Sequence, residues 1–207
     1  MTPTRRAFLG GLAAAAVTGA RDALASATPT FGLVLHRPTP TDESHAFLHE
    51  VARAVGLARD IYLPLGFDLA IDAVSALDPV HHRIESVGMR DALSPLVRPR
   101  RINVFLVEAL RDSESKTVYR NGVTWDSRVA PVRRFIILAR GAWDSSLAHE
   151  LGHFFGIPEH SAQKNNLMSY DREDDLVFLD EGQKARIRAG AARLLASKAQ
   201  DDLSARP

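Results

Sequence analysis

The chain has 207 residues, 45% hydrophobic and 25% charged, with a formal net charge of +1. That suits one soluble globular domain and gives no reason to invoke nucleic acid or an anionic surface. It contains no cysteine, which excludes disulfides, a thiol nucleophile, a cysteine-ligated zinc and a lipoprotein anchor from these residues, together with latency through a metal-capping cysteine.

Taken in order, Thr4-Arg5-Arg6-Ala7-Phe8-Leu9 resembles the twin-arginine export motif. The alanine-rich apolar stretch from Gly10 to Ala20 is short for a bilayer span and fits a signal peptide. Cleavage after Ala25-Ser26-Ala27 is preferred to Ala23-Leu24-Ala25, so residues 1–27 read as signal and 28–207 as one catalytic domain, periplasmic or secreted. Phe31–Leu35, between Pro29 and Pro38, reads as a buried strand. Apolar residues from Ala46 to Ile61 recur at helical spacing, giving a helix to Tyr62 that Pro64 and Gly66 end. Phe67–Val74 alternates and reads as a strand with one solvated face. The stretch 78–100, broken by Pro79, Pro95 and Pro99, reads as loop with one helical turn. Ile102–Val107 and Arg134–Ala139 are strong strands; between them lie a turn signal, Asn121-Gly122, and a short candidate edge strand, Val123–Trp125. Asp144 or Ser145 is placed to cap the next helix. Near the C-terminus Asp180 and Gln183 form a capping-box pattern ahead of a helix with Ala185, Ile187, Ala191, Leu194 and Leu195 on its apolar face.

The chemistry concentrates in His149-Glu150-Leu151-Gly152-His153-Phe154-Phe155-Gly156-Ile157-Pro158-Glu159-His160. Residues four apart share a helix face, so His149 and His153 can offer two imidazoles to one metal ion, with Glu150 beside them at the reach of a metal-bound water. Gly156 suits the left-handed residue that ends a helix, and Pro158 prevents its resumption. The turn can bring back His160 as third ligand, leaving the open position a catalytic zinc needs. Asn166-Leu167-Met168-Ser169-Tyr170 follows.

Over residues 144–172 these elements resemble the metzincin signature, a histidine-glutamate zinc motif followed by a methionine turn. The resemblance implies an α+β, metzincin-like fold: a twisted mixed sheet of about 4–5 strands, an active-site helix, the methionine turn and a C-terminal helix. It divides the domain into an N-terminal part, 28–156, and a small C-terminal part, 157–207, across a cleft. It implies one catalytic Zn2+ held by His149, His153 and His160, with Glu150 as general base on a zinc-bound water, Tyr170 as a ligand or oxyanion donor, and Met168 as apolar support. The family's third ligand falls three residues after the glycine, where this chain has Glu159, and the histidine comes one later. His160 is the preferred ligand and Glu159 the alternative.

The implied activity is zinc-dependent endopeptidase. The edge strand, Val123–Trp125 or Arg134–Ala139, would pair with an extended peptide. The alternative is an exported zinc- or peptide-binding protein without turnover. The expected partner is a peptide or protein substrate, with no nucleic acid, no stable membrane anchor and a monomeric chain. His45 and His49 read as a solvated helix face, His81 and His82 as loop residues, and His36 as structural. The acidic run 171–175 reads as a solvated loop, with a calcium site as its sharper alternative.

Overall fold

A strand such as Ile102–Val107, apolar on both faces, needs cover on both sides. In the computed structural model, which describes residues 28–38, 44–130, 132–142 and 144–196, that strand lies at the middle of the fold. The chain runs β1 (Thr30–Pro38), α1 (Ser44–Tyr62), β2 (Asp68–Leu77), β3 (Arg83–Ile84), α2 (Val87–Asp91), β4 (Ile102–Val107), β5 (Ala109–Leu110), β6 (Gly122–Asp126), β7 (Arg134–Ala139), α3 (Ser145–Phe154) and α4 (Glu181–Ala196). The main sheet has the order β2-β1-β4-β7-β6, all parallel except β6, which is antiparallel to β7. The expected mixed sheet, zinc-motif helix and C-terminal helix are thus all present. The export segment, residues 1–27, lies outside the described residues.

The alternation of side chains along β4 divides the core. Ile102, Val104 and Leu106 enter a cluster with Phe31, Leu33, Val55, Tyr62, Leu151 and Phe155, beneath the helices. Phe105 and Val107 enter a second cluster on the opposite face with Ile84, Leu93, Trp125, Phe135 and Ile137. The polar exception in β4 is Asn103. Its Oδ1 accepts from Arg98 N at 2.8 Å and from His36 Nε2 at 2.9 Å, and its Nδ2 donates to two carbonyls, so burial leaves no group of it unpaired. His36 stacks on Phe105 at 4.3 Å, and burial pushes its pKa down.

The elements differ from expectation where tertiary pairing supplies what local sequence does not. β1 and β2 run on to Pro38 and Leu77 because they pair along their whole length. The stretch 78–100 holds, besides α2, the short β3, which pairs with β5. Gly122, expected in a turn, opens β6. Of the two candidates for the edge, β6 takes it and β7 lies inside, between β4 and β6.

Two contacts fix the zinc-motif helix. The Tyr62 hydroxyl donates to the Ala148 carbonyl at 2.6 Å, tying α1 to α3 one residue before His149. At the other end α4 crosses so closely that a Cβ on Gly190 would stand 1.8 Å from the Phe155 carbonyl oxygen. Gly190→Ala is therefore expected to lower unfolding stability by about 3 kcal/mol, because backbone rather than a side chain must move. Gly56→Ala, in an open helical position with nothing within 4 Å, should raise it by about 1 kcal/mol. Urea unfolding of both variants checks the pair; a neutral Gly190→Ala would contradict the packing.

Candidate active site

The motif helix is stopped by the chain and started by tertiary structure. At its end Gly156 takes φ 107°, Gly156 N donates to His153 O at 3.1 Å and Ile157 N to Gly152 O at 3.0 Å, the paired bonds of a Schellman turn. At its start Asp144 occupies the cap position without a side-chain cap, its carboxylate instead meeting Arg53. The cap comes from Asp174, whose two oxygens accept from Asp144 N and Ser145 N at 3.1 Å each. Part of the acidic run thus satisfies orphan helix donors; in the same run Glu173 pairs with Lys164.

His149, His153 and His160 converge, each offering a nitrogen within 4.8 Å of the others. His149 Nδ1 lies 2.7 Å from Leu167 O, and His153 Nδ1 lies 2.6 Å from Ile157 O. A carbonyl only accepts, so both Nδ1 atoms carry the proton and both Nε2 atoms present lone pairs. Those Nε2 atoms stand 3.2 Å apart, and His160 Nε2 is 3.3 Å from that of His153. Desolvation by burial is the chief cause that pushes His149 down to about 3 and His160 to about 4, and it lowers His153 too, so imidazolium does not relieve the crowding. Facing lone pairs at this distance suit a cation. Zn–N bonds of about 2.0–2.1 Å at tetrahedral angles separate ligand nitrogens by about 3.3–3.4 Å. Two of the three separations match this value and all three nitrogens lie within 4.8 Å, so the neutral imidazoles fit zinc.

Glu159 is turned away, accepting from Arg186 Nη1 at 3.0 Å. His160 stacks on Tyr170 at 4.2 Å, and the Tyr170 hydroxyl lies 3.5 Å from His160 Nδ1, the nitrogen remote from the cluster. Arg120 Nη1 donates to that hydroxyl at 3.3 Å. Met168 is fully buried and its Sδ would be 2.6 Å from a Cβ on Gly152, so the methionine packs directly under the helix turn between His149 and His153. Asn166 and Gln183 hold the methionine turn to α4 through reciprocal amide bonds of 2.9 and 3.0 Å.

Glu150 is buried, which raises its carboxyl to about 7 in the metal-free protein. The Thr124 hydroxyl on β6 lies 3.0 Å from its Oε2 and 2.7 Å from its carbonyl. Its Oε1 passes over Gly122, where a Cβ would come within 3.1 Å. Beside it opens a cleft of about 380 Å³ lined by Val118, Tyr119, Arg120, Asn121, Gly122, Ser146, His149, Glu150, Tyr170 and Arg172. Sequence reasoning missed Gly122, Thr124, Arg120, Ser146 and Arg172, since none belongs to the motif. Gly122 and Thr124 were visible only as a turn residue and part of a candidate edge strand, and Arg172 and Ser146 only by position, two residues past the tyrosine and one turn ahead of Glu150. The remaining histidines stay apart: His49 is exposed, His82 Nε2 meets Leu77 O at 3.1 Å, and the side chain of His45 lies outside the described residues.

No protein-family model matches the sequence, and no curated protein matches it either. Solved structures do share its fold. Metalloproteinase-II from Bacteroides fragilis aligns with a TM-score of 0.52 at 16% identity, over 79% of this chain and 54% of that one, so this chain spans about half its length. Archaemetzincin from Methanopyrus kandleri gives 0.55 at 14% identity over 79% and 97%, and mirolysin 0.56 at 10% over 86% and 97%. At these identities the likeness is one of fold, and the fold is metzincin-like.

His160 lies in the cluster and Glu159 lies outside it, on Arg186. His160→Ala is expected to weaken zinc affinity at least about 100-fold, while Glu159→Ala leaves it within about threefold. Competitive titration against a chromophoric chelator measures both, and selective loss in the Glu159 variant would reverse the assignment.

Proposed function

We propose that the chain is a zinc-dependent endopeptidase. The observation that carries this reading is the convergence of three imidazole nitrogens, two of them with lone pairs fixed by Nδ1–H bonds to backbone carbonyls, with His149 and His160 standing 3.2 and 3.3 Å from His153 and all three within 4.8 Å. His149, His153 and His160 would hold the ion. Zinc so bound supplies Lewis acidity, lowering the pKa of water and polarising a carbonyl oxygen. The neighbours named a metalloproteinase and an archaemetzincin support the same class.

The rest of the chemistry belongs to this chain's own groups. Glu150 takes a proton from the attacking water and returns it to the leaving amine, work suited to a carboxylate buried beside the metal-facing nitrogens. Thr124 positions it by occupying Oε2, and Gly122 leaves room for Oε1. Arg120 donates to the oxygen of Tyr170, so the tyrosine proton remains available to an oxyanion developing in the cleft. The outer edge of β6, which is hydrogen-bonded on its inner side to β7, offers backbone groups to an extended peptide. A zinc- or peptide-binding protein without turnover is the poorer reading, because it has no use for a carboxylate desolvated beside the metal nitrogens and steadied by a threonine.

Export completes the proposal and rests on Arg5-Arg6 and the alanine-rich stretch after them. Among the described residues no helix is long and apolar enough to cross a membrane.

Glu150→Ala is expected to keep stoichiometric zinc and lose roughly 10²–10⁴-fold in peptide cleavage, and Thr124→Val to lose about tenfold. Chelation should abolish cleavage and added zinc restore it. Zinc analysis beside a quenched-fluorescence peptide assay reads all of these; a Glu150→Ala enzyme as fast as the parent would end the reading.

A further inference from the structure

The cleft beside Glu150 has a charge pattern that neither metal binding nor proton transfer requires. Its lining carries two guanidinium groups, Arg120 and Arg172, against one carboxylate, Glu150 itself. Arg120 is anchored by Asp112, a buried residue outside that lining. Arg172 is held at the cleft wall by Nε to Ser145 Oγ at 2.9 Å and by Nη1 to the Ser169 carbonyl. At the base, Ser146 Oγ is buried with no protein hydrogen-bond partner, and a buried hydroxyl without a partner is costly unless a ligand or water completes it. Within the lining Glu150 is the carboxylate, while behind it Asp112 pairs with Arg120 and Asp174 stands as a countercharge to Arg172, so both guanidinium groups are held in place at the wall.

We propose that this cleft receives a carboxylate of the peptide substrate close to the scissile bond, bound by Arg172 and Arg120 with Ser146 as an added donor. The inference rests on the endopeptidase reading and names its substrate class. Two guanidinium groups in a partly desolvated wall favour a planar anion over its amide isostere, because the amide brings no charge and turns an NH2 donor towards groups that only donate. An aspartate or glutamate side chain and the free C-terminal carboxylate of a short peptide share this chemistry.

The test uses zinc-loaded full-length protein and peptides of one sequence with Asp or Asn beside the cleaved bond. Each is made with an amidated C-terminus and with a free one. The acidic side chain is expected to raise kcat/KM roughly 10-fold or more over Asn in the amidated pair. A gain confined to free C-termini assigns the site to the terminal carboxylate instead. Arg172→Met should erase most of the preference, mainly through KM, and Arg172→Lys should keep part of it. Should Arg172→Met fail to fold, Arg120→Met is read by the Asp-to-Asn ratio alone, which should fall, because loss of its bond to Tyr170 lowers kcat for both peptides. Binding of the labelled peptides to Glu150→Ala, followed by fluorescence anisotropy, gives a readout without turnover. Asp, Asn and both termini cleaved and bound alike, within about twofold, would overturn this inference and leave the peptidase reading standing. Peptides neither cleaved nor bound by zinc-loaded protein would overturn both.

Discussion

The site depends on a pair of hydrogen bonds that point away from it. By donating Nδ1–H to the carbonyls of Leu167 and Ile157, His149 and His153 have their Nε2 lone pairs turned towards each other at 3.2 Å. Without those acceptors each ring could flip or change tautomer, and the crowding would relax into an ordinary imidazole hydrogen bond. With them, a cation is the economical way to satisfy the facing nitrogens. Both acceptors are backbone atoms delivered by turns: Ile157 by the left-handed Gly156, Leu167 by the methionine turn.

The surrounding fold serves to hold those turns still. Met168 packs against Gly152 from beneath, Asn166 is locked to Gln183 of α4, and α4 closes on the end of α3 at Gly190. From the other side Tyr62 ties α1 to the Ala148 carbonyl, and Asp174 caps the first donors of α3. Helix, turn and C-terminal helix therefore form one braced unit, and a strand at the edge of the sheet reaches it through Thr124 and Gly122. Desolvation of Glu150 follows from that closeness. The carboxylate sits under a strand instead of in solvent, and burial is the largest cause of its raised pKa.

Much of this was legible locally. Helical spacing placed His149 and His153 on one face, Gly156 and Pro158 announced the turn, and the apolar runs of β4 and β7 marked strong strands. The reciprocal bonds of Asp180 and Gln183 at the start of α4 also followed from three-residue spacing, 2.8 and 3.0 Å in the structure. What failed to show locally had its partner far along the chain. The carboxylate at the start of α3 is that of Asp174 and not Asp144, because a residue thirty positions on reaches Asp144 N and Ser145 N. Gly122 reads as a turn residue in isolation and becomes a strand residue once β7 pairs with it.

The amino-acid sequence by itself determined the two-histidine helix face, the point where that helix ends and the strands that build the sheet, because each depends on periodicity or on one residue's backbone preference. Only the tertiary structure brought His160 beside His149 and His153 and turned Glu159 away, set β6 at the sheet edge, laid Thr124 against Glu150 and gathered Arg120, Ser146 and Arg172 round one cleft. Those choices turn on distances between segments separated by tens of residues, and such distances exist only after the helices have packed on the sheet.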